Sequence, residues 1–136
     1  MLIGLAAANV RGLRHTGQAI PQPVSIQALL DQGAAVTCVD PTVLAPLVSL
    51  GLKWSRLVLV NAPSAAGGRA GAFEYLVTLT VVHPSGNVRA HLVLGAQAVL
   101  ELPLGALGYQ ALLGRDLLDH CLLVRDGPGR RFTLAY

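Results

Sequence analysis

The chain reads as an all-β domain, a closed barrel with one or two short helices, and three observations point there. Turn signals recur about every 8 to 20 residues. Only two stretches carry helix signatures, and the clearest strand, Tyr75 to Val82, is alternating and β-branched. That spacing suits a barrel and leaves no room for the helices of a βαβ sheet.

The elements follow in order. Residues 1–23 are expected to form an N-terminal strand and loop. Val24 to Leu30 and Val36 to Val39 are apolar or β-branched runs that flank the turn Asp31-Gln32-Gly33-Ala34-Ala35. Asp40-Pro41 marks a helix start, because Asp40 can accept from the first free amides and Pro41 gives up no needed donor. The helix carries Val43, Leu44, Leu47 and Val48 on one side, and Gly51 ends it. Leu57 to Val60 and Tyr75 to Val82 read as strands joined by the small, Gly-rich stretch Asn61 to Gly71, a hairpin tip. Pro84-Ser85-Gly86-Asn87 turns into a strand from Val88 to Leu94. A short helix is expected within Leu117 to Leu123, and Asp126-Gly127-Pro128-Gly129 turns into a last strand from Arg131 to Tyr136.

Composition narrows the function. At 136 residues the chain is one domain, and 53% hydrophobic against 12% charged residues excludes a disordered tail and suggests apolar surface shared with a partner. The net charge of +3 comes from nine Arg and Lys53, scattered without a basic block or interleaved aromatics, so no nucleic-acid partner is expected. Cys38 and Cys121 stand alone in apolar stretches, reading as reduced core thiols rather than zinc or redox ligands. The apolar start, Met1 to Val10, is too short to span a bilayer and has no basic leader, and with no membrane span elsewhere a soluble, cytoplasmic domain is expected. His15, His83, His91 and His120 share no metal-ligand spacing, and no metal or cofactor is expected. Ser85 reads as a turn residue, Trp54 as a packing anchor, and Glu74 and Glu101 as solvated carboxylates.

The chemistry concentrates at Asp31. Two carboxylates sharing one proton can activate water and protonate an amide without a metal, because like charges about 3 Å apart cannot both ionise. Asp31 is the one carboxylate in an Asp-x-Gly turn after an apolar strand, so its partner must come from a second copy. Gly33, lacking a Cβ, lets a backbone amide approach the carboxylate.

Asp31-Gln32-Gly33-Ala34, the Gly-rich stretch with Ala66, Gly67, Gly68 and Arg69, and Leu112-Leu113-Gly114-Arg115-Asp116-Leu117-Leu118 occur in an order and spacing that resembles the retropepsin-like aspartic peptidases. Their bacterial members are the nearest resemblance, over roughly Val24 to Tyr136. The resemblance implies a single acid-protease-type domain working as a homodimer, with the terminal strands pairing across the twofold axis. It assigns Asp31 as catalytic, Gln32, Gly33 and Ala34 as the active-site loop, and Ala66, Gly67, Gly68 and Arg69 as a flap over an extended peptide. Leu113, Gly114 and Arg115 become structural support. Two positions depart from the family pattern. Gln32 stands where Thr or Ser is usual, which leaves open a catalytically weak or silent module that binds protein as a dimer. Ala35 replaces an Asp that would pair with Arg115, so Arg115 is expected to be a buried hydrogen-bonder with another acceptor, a backbone carbonyl, Asp116 or Asp119.

Overall fold

In the computed structural model, which describes residues 1–61 and 68–136, the chain is mostly β, a single curled half-barrel sheet with few helices and a separate hairpin. The elements are β1 (Leu2–Leu5), α1 (Ala7–His15), β2 (Val24–Ser25), β3 (Ala28–Leu30), β4 (Cys38–Val39), α2 (Pro41–Ser49), β5 (Trp54–Asn61), β6 (Arg69–Val81), β7 (Leu92–Glu101), β8 (Ala111–Leu113), α3 (Arg115–Leu118), β9 (Leu122–Asp126) and β10 (Arg131–Ala135). The main sheet runs β2-β1-β6-β7-β4-β8-β3, with β5 added to β6, while β9 and β10, among the described residues, pair only with each other.

Four local readings change, the first being that the short helix expected within Leu117 to Leu123 lies earlier, as α3, and Leu122 and Leu123 open β9. Residues 1–23 hold a nine-residue helix, α1, as well as the expected strand. Its N-terminus has no side-chain cap, and only Val10 and Leu13 reach the core, so its sequence signature is faint. Val88 to Ala90 is a 3-10 turn rather than the start of a strand, because the Asn87 side chain accepts from the Arg89 amide at 3.0 Å and diverts the backbone. Val24 to Leu30 is interrupted at Ile26, whose buried side chain joins the core while its amide bonds the Met1 carbonyl.

The sheet separates two apolar clusters. Val39, Val77, Val99, Ala111 and Leu113 face the main core with α2, and Cys38, Ala72, Leu100 and Leu104 face a smaller cluster on the other side. The period of two along each strand makes this division: Cys38 and Val39 are neighbours in sequence and belong to different clusters. Trp54, expected as an anchor, is instead 56% exposed and tilts against Phe73 with ring centroids 5.5 Å apart. Glu74, expected to be solvated, is buried, accepting from Arg56 at 2.7 Å and from the Ser55 hydroxyl at 2.8 Å. Those bonds hold its carboxyl below the usual range, the Arg56 hydrogen bond foremost.

Asp40 is the predicted helix cap and does more than cap. Its Oδ1 accepts from the Thr42 hydroxyl and amide at 2.6 and 2.9 Å, and its Oδ2 from the amides of Leu104 and Gly105 at 2.7 and 2.8 Å, tying α2 to the loop after β7. The Thr42 hydroxyl, then its amide, with the Leu104 and Gly105 amides adding, outweigh burial and hold this carboxyl at about 2. A depressed carboxylate stabilises the fold above its unfolded value near 4, and that contribution, about 2 kcal/mol, fades as pH falls from about 4 to 2. Asp40→Ala is therefore expected to lower stability by about 2 kcal/mol at pH 7 and by much less at pH 2, read from urea midpoints.

Candidate active site

The site is built where one strand is gripped on both sides by the two ends of a loop. β8 lies between β3, which pairs with it in parallel (Leu30 opposite Leu113), and β4, which pairs antiparallel (Cys38 opposite Leu112). The connection from β3 to β4, residues 31–37, must then cross the chain just past the end of β8. It crosses at Gly114. A Cβ there would lie 2.5 Å from the Val36 carbonyl carbon and 2.9 Å from the Thr37 nitrogen, so only glycine permits the crossing.

The crossing is laced by main-chain bonds. The Asp31 amide donates to the Leu113 carbonyl at 3.1 Å, and the amides of Arg115 and Asp116 donate to the carbonyls of Ala34 and Ala35 at 3.0 and 3.3 Å. Asp31, half-buried at the head of the loop, accepts the Gly33 amide on Oδ1 at 2.8 Å. A Cβ on Gly33 would meet that same oxygen at 3.0 Å, so the glycine serves the close approach of amide to carboxylate rather than an unusual backbone angle.

Arg115 is exposed, not buried, and it reaches back over the loop. Its Nη1 donates to the Gln32 carbonyl at 3.0 Å and more weakly to that of Gly33 at 3.5 Å. A backbone carbonyl thus takes the place of the absent acid at Ala35. Gln32 is exposed, with no side-chain hydrogen bond among the described residues.

A cleft of about 350 Å³ opens beside the loop, lined by Gly33, Ala34, Ala35, Val36, Cys38, Val60, Asn61, Leu100 and Leu102, with no charged side chain among them. Its floor is the smaller apolar cluster. Cys38 is no nucleophile: burial first, then the charges of Asp116 and Asp31, push its thiol up to about 11, leaving it neutral at physiological pH. The β5–β6 hairpin reaches the cleft through Val60 and Asn61, and Asn61 pairs with Arg69. Of the four expected flap residues, Arg69 opens the returning strand and Gly68, with φ +68°, precedes it, while Ala66 and Gly67 fall outside the described residues.

The sequence reading missed a polar cluster behind the loop. Thr37, with no exposed surface, donates its hydroxyl to Asp116 Oδ1 at 2.7 Å and its amide to Asp116 Oδ2 at 3.1 Å, and its hydroxyl accepts the Gly114 amide at 3.2 Å. Gln97 on β7 donates to Asp116 Oδ2 at 2.8 Å. A threonine two residues past an apolar turn and an aspartate after Gly-Arg were the available signals. Gln97 had none, since its partner lies 19 positions along the chain on another element.

The chain matches no protein-family model, no curated protein and no solved structure.

Proposed function

We propose that this chain is an aspartic endopeptidase of the retropepsin-like kind, active as a homodimer in which Asp31 meets the Asp31 of a second copy. The observation that carries this reading is the crossing at Gly114. It holds a half-buried carboxylate, hydrogen-bonded to the Gly33 amide, and Gly33 to Val36 of the same loop line an uncharged cleft that the β5–β6 hairpin also reaches. One carboxylate takes a proton from water while the protonated one gives its proton to the carbonyl oxygen of the substrate. As the water oxygen bonds to the carbonyl carbon a gem-diol forms. Its C–N bond then breaks while the first carboxyl gives its new proton to the leaving nitrogen and the second carboxylate takes one from a gem-diol hydroxyl, restoring the pair. The described arms of the hairpin, through Val60 and Asn61, offer one wall of the cleft to an extended peptide.

Self-association has its own support. Strand β1 is flanked within the chain by β2 and β6, so it has few free main-chain groups to lend across an axis. The β9–β10 hairpin is the freer element. Among the described residues it pairs with no other strand, its outward face carries Leu122, Val124, Thr133 and Ala135, and Leu122 is 64% exposed. A lone two-stranded hairpin whose outer face is apolar up to the Asp126–Arg131 ion pair at its turn end gains from a second copy.

Gln32 favours the second reading, a dimer that binds peptide without cutting it. Its unbonded amide sits where a small hydroxyl would lock two loops together, and two such side chains crowd an axis. The deciding experiment is cleavage of a peptide library at about pH 4 to 6, with and without pepstatin, alongside light scattering. The peptidase reading expects pepstatin-sensitive cleavage by a dimer and, for Gln32→Thr, a rise in kcat on the order of tenfold. A stable dimer in which neither wild type nor Gln32→Thr cuts any peptide supports the binding module. A monomer overturns both.

A further inference from the structure

The polar cluster behind the loop is more elaborate than holding a turn requires. Asp116 takes four donors, the Thr37 hydroxyl and amide, the Gln97 side-chain amide and the Leu117 amide, and no cation among the described residues contacts it. Its neighbour Arg115 spends its guanidinium on the Gln32 carbonyl, and Cys38, which feels the charges of both Asp116 and Asp31, is a neutral thiol. The carboxylate is thus balanced by neutral donors alone. Of these, only the Gln97 amide comes from outside the two segments that cross, residues 31–37 and 113–118.

That single outside donor sits on β7, the strand that also provides Leu100 to the cleft floor, and β7 pairs with β6, whose first half is one arm of the hairpin. Asp116 in turn accepts from both donors of Thr37, the last residue of the Asp31 loop, while the Thr37 carbonyl accepts from the Leu100 amide of β7 at 3.0 Å. Resting on the peptidase reading, we propose that Gln97 is a positioning residue for Asp31, its side-chain amide setting the geometry of the 31–37 loop through Asp116 and Thr37.

The consequence is specific to charge. Gln97→Glu keeps the shape and replaces the donor by a carboxylate facing Asp116. Two carboxyls in hydrogen-bond contact cannot both ionise without cost, so the loop should loosen when both are charged and recover when the introduced carboxyl carries a proton and can donate again. Gln97→Met removes the donor without adding charge, and its effect should not depend on pH.

The test measures peptide cleavage and amide hydrogen exchange on the full chain at pH 5 and pH 7. For Gln97→Glu we expect kcat at pH 7 to fall about tenfold against wild type, KM to stay within about twofold, and both to approach wild type at pH 5. The Gly33 and Ala34 amides, corrected for intrinsic rate, should exchange about tenfold faster than in wild type at pH 7 and equally at pH 5. Unchanged exchange at these amides, or faster exchange spread evenly over β6 and β7, overturns the proposal. Wild type that cuts no peptide at all refutes the peptidase reading instead, and the exchange measurement then decides by itself whether Gln97 holds the loop.

Discussion

Gly114→Ala is expected to destabilise the fold by about 4 kcal/mol or more, enough to threaten a domain of ordinary stability. The added methyl would sit 2.5 Å from the carbonyl carbon and 2.7 Å from the carbonyl oxygen of Val36, and both obstacles are main chain. Neither can swing aside as a flexible side chain would. Relief requires moving the 31–37 loop away from β8, which breaks the bonds from Arg115 and Asp116 to Ala34 and Ala35 and the Thr37–Gly114 bond together. Gly12, on the outer side of α1, has open space around its missing Cβ, and Gly12→Ala is the matched control, expected to be neutral or mildly stabilising. Urea unfolding of the two variants separates a crossing that only glycine permits from a general dislike of added methyls.

Asp31→Asn should leave the fold intact and abolish peptide cleavage, a loss on the order of 10³-fold or more. An amide oxygen can still accept the Gly33 N–H, so the loop retains its local geometry. It can neither take a proton from water nor share one with a second carboxylate, and in a dimer both halves of the pair are lost at once. Cleavage assayed beside the urea midpoint makes the point: an inactive variant with wild-type stability supports the dyad, and an Asp31→Asn protein that cuts as fast as wild type removes it from the chemistry. Mixed dimers sharpen the result. Co-expressed wild-type and Asp31→Asn chains should lose activity steeply as the variant fraction rises, because every mixed pair lacks one carboxylate.

Much of this architecture was legible along the chain because it rests on local rules. Asp40-Pro41 announced α2 through cap chemistry, and Asp126-Gly127-Pro128-Gly129 announced the turn into the last strand, β10, though not its partner β9, whose first residues read as helix. α1 escaped because nothing caps it and its apolar stripe is two residues wide. Glu74 looked like any strand carboxylate, and its burial depends on Arg56 and Ser55 arriving from the facing strand.

By itself the sequence determined the residue types that could do chemistry and where the chain must turn: an aspartate two before a glycine, a glycine-arginine pair after two leucines, strands of period two. Those features are written in neighbouring residues, where backbone sterics and hydrogen-bonding preference act over a few positions. Only the tertiary structure decided that Gly114 lies under the loop that begins at Asp31, that Arg115 reaches the Gln32 carbonyl, and that Gln97 joins Thr37 through Asp116. These contacts link residues up to 83 positions apart. Their energies depend on distance and desolvation in space, quantities that sheet register and packing set and that no run of adjacent residues encodes.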